Sequence, residues 1–335
     1  MSDEDSAVQP PDLIFILAGQ SNMAGRGNLA MALPPSSQVL MLSGENGEGQ
    51  WKVAREPTHA DVDAQRLRLA AGSTSKKECG IGPALFFGEH LISLITHESC
   101  GFTLNGGGEA TASSGAGGDL GKRSCPVRIG LVPAAIGGTQ IDEWQPDAAL
   151  FEHMLAQRSR ALSLAHTGVS SSPSSAPATI TAILWHQGES DADTRERAGA
   201  YGCKLATFIK ASRASMRPHH VPIIVCGIGG DVSRVPFKDG VRAAQLAACD
   251  DLRDSEERAD GYVETNDLEF QDDGLHLTAA AAGQLGMRLA EAVWRVPSVR
   301  LDIERVSAHW SGSGVLENNT TSAHDLFSLH PLKTT

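Results

Sequence analysis

The sequence predicts an α/β protein, a three-layer sandwich in which a parallel sheet is covered by helices on both faces. Three observations carry that expectation. Short apolar runs of strand length alternate along the whole chain with longer segments of helical periodicity. The first run, Leu13–Ala18, is apolar at every position, as a strand buried on both faces of a parallel sheet is. Two of the runs end in glycine turns, at Gly19 and at Gly137-Gly138.

Taken in order, residues 1–11 form a disordered lead-in, and Leu13–Ala18 is the first strand, bounded by Pro10-Pro11 and by the glycines that follow. Gln38–Leu42 is a second short strand. Residues 44–80 are polar and irregular and are expected as a long loop over the carboxyl edge of the sheet. Gly82–Leu94 has Pro83 near its start and apolar residues at helical spacing, which makes it a helix. Residues 98–126, rich in Gly and Ser with little to bury, are expected as a mobile surface insertion, because the strand pattern resumes directly at Val127–Ile136.

A helix over 148–166 follows, then a Ser/Pro loop at 170–177, and then the strand Ile180–Trp185. Arg195–Met216 is helical, Val221–Gly227 a strand, Phe237–Leu252 a helix and Gly261–Glu264 a short strand. Thr278 caps a closing helix that runs to Trp294. Residues 12–296 thus make one domain. Residues 297–335 are a C-terminal extension, with an edge strand at Val299–Ile303 and then a polar, partly disordered tail.

Composition bounds the function. A chain of 335 residues, 41% hydrophobic and 20% charged, suits a globular protein with a sizeable core. A formal charge of −12 with no basic block argues against nucleic acid as a partner. No apolar run spans a bilayer, so no membrane partner is expected. The acidic Met1-Ser-Asp-Glu-Asp-Ser6 lacks a secretory pattern, and six scattered cysteines without a CxxC spacing fit reduced thiols; both point to a cytoplasmic location. Cys100 and Cys125 flank the insertion and would be bridged only in an oxidising compartment, where the sequons at Asn318 and Asn319 would also acquire meaning. Oligomeric state is not legible.

Three segments carry chemistry. In open α/β sheets ligands sit outside the carboxyl ends of strands, at the point where strand order reverses. Ser21 stands there, after the Gly19 turn, as a candidate nucleophile with its own N–H as part of an oxyanion hole; alone, it is as well explained as a turn cap. Asp273-Gly-Leu-His276 precedes the last helix. A spacing of three across a tight turn sets the carboxylate beside one imidazole nitrogen and leaves the other to act as a base. The motif alone describes a helix-start acid with an exposed histidine equally well. Asp272, one residue further back, is expected to face solvent.

The third segment is Trp185-His-Gln-Gly-Glu-Ser190, where the Gln187 amide, with the N–H groups of Gly138 and Ser21, is placed to surround an oxyanion. Gln20 and Asn22 flank the serine and, with His186 and Glu189, are expected to support it or to touch substrate. His186, Glu189, Asp191 and Asp193 offer a rival reading as metal ligands. Their spacing matches no standard motif, so neither a metal nor any other cofactor is expected.

Four blocks in order resemble the SGNH-type carbohydrate esterases: Gly19-Gln-Ser-Asn-Met23, the stretch from Ile129 to Trp144, Trp185–Asp191 and Asp273-Gly-Leu-His-Leu277. Within that group the chain is similar to carbohydrate esterase family 6 and the sialate O-acetylesterase-like domains, of the plant-type probable carbohydrate esterases, over roughly residues 12–295. The resemblance implies a flavodoxin-like sheet of order 2-1-3-4-5 and hydrolysis of acetyl esters on sugars. It implies Ser21 as nucleophile, His276 as base, Asp273 as its partner, and Ser21, Gly138 and Gln187 around the oxyanion. Gln187 stands where the wider superfamily has an asparagine. The lengthened loops and C-terminal extension depart from the compact family pattern. Two alternatives stand beside this reading: an esterase or thioesterase acting on non-sugar acyl groups, and a catalytically idle glycan-binding protein.

Overall fold

The computed structural model describes residues 8–44, 49–62, 78–99, 103–104, 110–111, 127–167, 178–216, 220–250 and 254–310. Its centre is β1 (Leu13–Gly19), seven residues without an exposed side chain. The apolar, β-branched run dictates this: side chains alternate between two faces, and both faces are covered. Beside β1 lie β6 (Ile129–Pro133) on one side and β7 (Ile180–His186) on the other, both parallel to it. The sheet continues outward from β7 through β8 (Ile223–Cys226) to β9 (Gly261–Val263), and outward from β6 through β2 (Val39–Ser43) to β3 (Gln50–Val53). Numbered along the chain, β1, β6, β7, β8 and β9 stand in the order 2-1-3-4-5; β2 and β3 extend that core at one edge. A separate two-stranded ladder pairs β4 (Thr103–Leu104) with β5 (Ala110–Thr111).

Two hydrophobic layers follow from the alternation along β1. Leu13, Phe15 and Leu17 face the helices α2 (Ala84–Ser99), α6 (Ala279–Trp294) and α7 (Pro297–Trp310). Ile14, Ile16 and Ala18 face α3 (Ala149–Thr167), α4 (Arg195–Ser215) and α5 (Lys238–Ala247). An edge-to-face contact of 4.9 Å between Phe15 and Phe87 pins the sheet to α2. On the other face Trp185 lies 5.2 Å from Trp144 and 4.1 Å from Phe208. Fully burying each such side chain contributes about 1.5–3 kcal/mol. Gly286 lets α6 approach α2 closely, since a Cβ there would lie 2.5 Å from the Pro83 carbonyl oxygen.

Three expectations are corrected. Residues 44–80 hold the antiparallel edge strand β3, whose alternation, with Trp51 buried between exposed Gln50 and Lys52, is too short to stand out. Val299–Ile303 is helical, part of α7: Val299 and Ile303 are buried while Leu301 is 52% exposed. A strand would have put all three on one face, whereas helical spacing joins residues four apart. Pro11, expected at the end of a disordered lead-in, is buried, and its ring occupies the space a side chain at Gly130 would need. Residues 1–7, all of the expected insertion except the end of α2 and the β4–β5 ladder, the 170–177 loop and the tail from 311 lie outside the described residues.

Candidate active site

The chain runs outward to the two edges of the sheet from the neighbourhood of β1, and the carboxyl ends of β1, β6 and β7 therefore form a crevice. Gly19 makes the exit from β1. Its φ of 125° lies in the region that favours glycine, and a Cβ would sit 2.1 Å from the His186 carbonyl oxygen. The Gln20 N–H donates to that oxygen at 2.9 Å, and the four-residue helix α1 (Ser21–Ala24) begins at once. Ile136 N donates to Gly19 O at 2.9 Å, which sets the turn of Gly137, Gly138 and Thr139 beside Ser21's segment.

Opposite, the turn at Asp273–His276 precedes α6, where the Thr278 side chain caps the helix by accepting from Ala281 N at 3.2 Å. Ser21 Oγ and His276 Nε2 are 3.0 Å apart, and His276 Nδ1 lies 2.5 Å from Asp273 Oδ2. The second carboxylate oxygen of Asp273 accepts from the backbone N–H groups of His276 and Leu275, at 2.9 and 3.0 Å. Ser21 and His276 are buried, while Asp273 keeps one edge open. Partial burial pushes the Asp273 carboxyl up, but the hydrogen bonds from His276 and Leu275 and the imidazole charge outweigh it and bring the pKa down to about 2. Asp273 is therefore ionised throughout the neutral range. Its contribution to stability is complete above about pH 4, the unfolded carboxylate range, and is lost as pH falls through 2. Asp272 is exposed, as expected.

Asn22 joins the two halves. Its Nδ2 donates to Leu275 O at 3.1 Å and to Glu189 Oε1 at 2.7 Å, and its Oδ1 accepts from Leu277 N at 3.0 Å. Gln20 braces the neighbouring loop: its Oε1 lies 3.5 Å from Gly188 N and 3.4 Å from Ser190 N.

Gln187 requires a correction. Its side chain is fully buried, and the Nε2 group faces Thr139 O at 3.0 Å, Asp191 Oδ2 at 2.6 Å and Gln20 Oε1 at 3.4 Å. Three acceptors surround two hydrogens, which leaves none for an oxyanion. Gln187 ties loops together. Its carbonyl accepts from Tyr201 Oη and Gln245 Nε2, each at 2.8 Å. Asp191, the receiver of the Gln187 amide, also accepts from Ile141 N at 2.9 Å and so joins the loop after β7 to the turn before Trp144. Burial raises the Asp191 carboxyl to about 6, against the hydrogen bonds from Gln187 and Ile141. This bracing role was missed; the four-residue spacing from Gln187 was its sequence signal. Gln245 arrives from α5 without any signal.

His186 is buried beside Glu189, with 3.7 Å between Nε2 and Oε1. Burial pushes its pKa down, against the Glu189 charge, so the ring is neutral. The rival metal ligands diverge: Asp193 pairs with Arg197 at 2.5 Å on the surface, and Asp191 turns to Gln187. Among the described residues no three His, Cys, Asp or Glu side chains converge as a metal set, and no helix is long and apolar enough to cross a membrane.

A hydroxyl, an imidazole and an ionised carboxylate in sequence can transfer a proton from the hydroxyl as it attacks an electrophilic carbon. The family model described as carbohydrate esterase, sialic acid-specific acetylesterase matches residues 11–114 and 115–295. A probable carbohydrate esterase of Arabidopsis thaliana is 30% identical over 298 residues, which are 84% of this chain and 90% of that one. The X-ray structure of that Arabidopsis protein superposes with a TM-score of 0.62 at 30% identity, covering 85% of this chain and 98% of the other. A carbohydrate acetylesterase from Xanthomonas citri gives a TM-score of 0.47 at 16% identity, over 84% of this chain and 56% of that one.

Proposed function

The chain belongs to the family of carbohydrate esterases of the sialic acid-specific acetylesterase type, which makes it a carboxylic ester hydrolase, and we propose that it removes O-acetyl groups from carbohydrate hydroxyls through a Ser21–His276–Asp273 relay and an acetyl-enzyme. The observation that carries the proposal is the unbroken contact sequence from Ser21 Oγ to His276 Nε2, 3.0 Å, and from His276 Nδ1 to Asp273 Oδ2, 2.5 Å.

In the proposed reaction His276 Nε2 takes the Ser21 proton as Oγ attacks the acetyl carbonyl carbon. Asp273 accepts from Nδ1–H, fixes that tautomer and balances the imidazolium charge. The tetrahedral intermediate collapses as the C–O bond to the sugar breaks, and His276 returns the proton to the departing sugar oxygen. Water then attacks the acetyl-serine as His276 takes its proton, the bond from the acetyl carbon to Ser21 Oγ breaks, His276 returns the proton to Oγ, and acetate leaves. The donors assigned to the oxyanion are the backbone N–H groups of Ser21 and Gly138, a pairing supported by the Ile136–Gly19 hydrogen bond that sets the two turns side by side. Each such donor is worth about 3–4 kcal/mol in the transition state.

Acetate release measured across acetylated xylan, O-acetylated sialic acid and simple aryl acetates tests the substrate class. Turnover of the sugar acetates above the aryl acetates supports the reading. Hydrolysis confined to aryl or thioester substrates would favour a non-sugar acyl group, and binding of glycans without hydrolysis of any ester would make the protein an idle binder.

A further inference from the structure

We propose that Asn22 is the positioning residue that holds His276 in range of Ser21, and that Glu189 acts on the reaction only through Asn22; this rests on the roles given above to Ser21 and His276. The nucleophile and the base are 255 positions apart in the chain, yet their separation is 3.0 Å. Asp273 governs the ring, since it binds Nδ1. The backbone of the histidine turn is held from the other side. The Asn22 amide donates to Leu275 O at 3.1 Å and accepts from Leu277 N at 3.0 Å, so that one side chain grips the residues on both sides of His276.

That side chain is attached one residue from the nucleophile, in a helix whose own hydrogen bonds, Met23 N to Gln20 O and Gly25 N to Ser21 O, fix it to the Ser21 backbone. Only a group with a donor and an acceptor in one plane makes both contacts, which is what an asparagine offers. Its orientation is set by the remaining amide hydrogen, which goes to Glu189 Oε1 at 2.7 Å, a charge-assisted bond between two buried groups. The imidazole beside Glu189 is that of His186, 3.7 Å away. Glu189 therefore orients the latch, the latch places the histidine turn, and Asp273 turns the ring.

The test uses the full chain with four variants: Asn22→Ala, Glu189→Ala, Glu189→Gln and the double variant Asn22→Ala/Glu189→Ala. Steady-state hydrolysis of an aryl acetate is measured beside the downfield proton resonance of the His276–Asp273 hydrogen bond. Asn22→Ala should lower kcat about 100-fold, the scale of a misplacement near 1 Å, with KM within about twofold. Glu189→Ala should lower kcat less, and Glu189→Gln, which keeps an acceptor for Asn22, should stay within about threefold of the parent. The double variant should be no worse than Asn22→Ala alone, because the two residues act in series.

The downfield resonance should broaden in Asn22→Ala and persist in Glu189→Gln. Multiplicative losses in the double variant, or equal damage from Glu189→Gln and Glu189→Ala, would overturn the proposal and give the Glu189 charge a direct role. Should Asn22→Ala fail to fold, Asn22→Asp, which keeps the acceptor but loses the donor, takes its place; parent-like kcat there would equally overturn it. If the parent protein hydrolyses no ester, the catalytic reading has failed, and the resonance alone still decides whether Asn22 holds the histidine turn.

Discussion

Two acid–histidine pairs three residues apart lie at this edge of the sheet, and they behave differently. Asp273 and His276 meet at 2.5 Å, and the far nitrogen of the ring reaches Ser21. Glu189 and His186 stand 3.7 Å apart, both almost fully buried, and the Glu189 oxygen that faces the ring is engaged by Asn22. Among the described residues neither His186 nitrogen has a hydrogen-bond partner. The first pair sits on a turn whose backbone N–H groups hold the carboxylate in place and keep its pKa near 2; the second begins inside a strand, where the ring is enclosed and held neutral. Sequence spacing is common to both. What separates them is the third member, a hydroxyl brought up by β1 in one case and an amide in the other.

That difference is open to direct attack. The largest effect is expected at the hydroxyl: Ser21→Ala should lower kcat by about 10⁶-fold while circular dichroism and thermal unfolding stay parent-like. Near-normal turnover in a folded variant would remove the relay. Next comes the carboxylate that orients the ring. Asp273→Asn should reduce kcat by up to about 10⁴-fold on one acetyl ester at saturating concentration, through a wrong tautomer and an unbalanced imidazolium. Asp272→Asn, one residue away on an exposed side chain, should leave kcat nearly unchanged; a reversal of the two results would shift the assignment by one position.

The second pair should tolerate what the first does not. His186→Leu is expected to cost less than about tenfold in kcat, because among the described residues the ring makes no hydrogen bond that a leucine would lose. A loss as large as that for Asp273→Asn would mean that the two pairs work together. The smallest effect is on stability alone. Asp191 has a folded pKa raised to about 6, so the folded state holds its proton more tightly than the unfolded chain does. Its contribution therefore turns unfavourable as pH rises from about 4 to 6 and stays so above. Asp191→Asn should remove that slope, raising stability at pH 7 by on the order of 3 kcal/mol at most, and thermal unfolding at pH 4, 5, 6 and 7 reads it.

Much of this architecture is written in local pattern. Leu13–Ala18 and Ile180–Trp185 are apolar at nearly every position, and a strand buried on both faces is what such runs form in a parallel sheet. Thr278 marks the start of α6 by its side chain, and the spacing of Asp273 and His276 already implies a turn that sets the carboxylate beside the ring. The failures share a cause. Val299–Ile303 satisfies the strand period and the helix period at once, and only the packing against α6 and the sheet chooses between them. Gln187 looked like a donor because its amide has two hydrogens. Thr139 and Asp191, which occupy them, are brought there by tertiary structure, as is Gln245 from α5. The Asn22 latch needs a partner 253 residues away, and no local pattern announces such a contact.

The central claim is that Ser21 carries the acetyl group between two half-reactions. Rapid quenching of the enzyme with an activated acetyl ester, followed by peptide mass analysis, tests it most directly. The account predicts one acetyl group on Ser21 within the first turnover, formed in a burst that precedes steady-state acetate release, absent from Ser21→Ala and much slower to form in Asp273→Asn. Steady turnover with no burst and no modified Ser21, retained in Ser21→Ala, would contradict it.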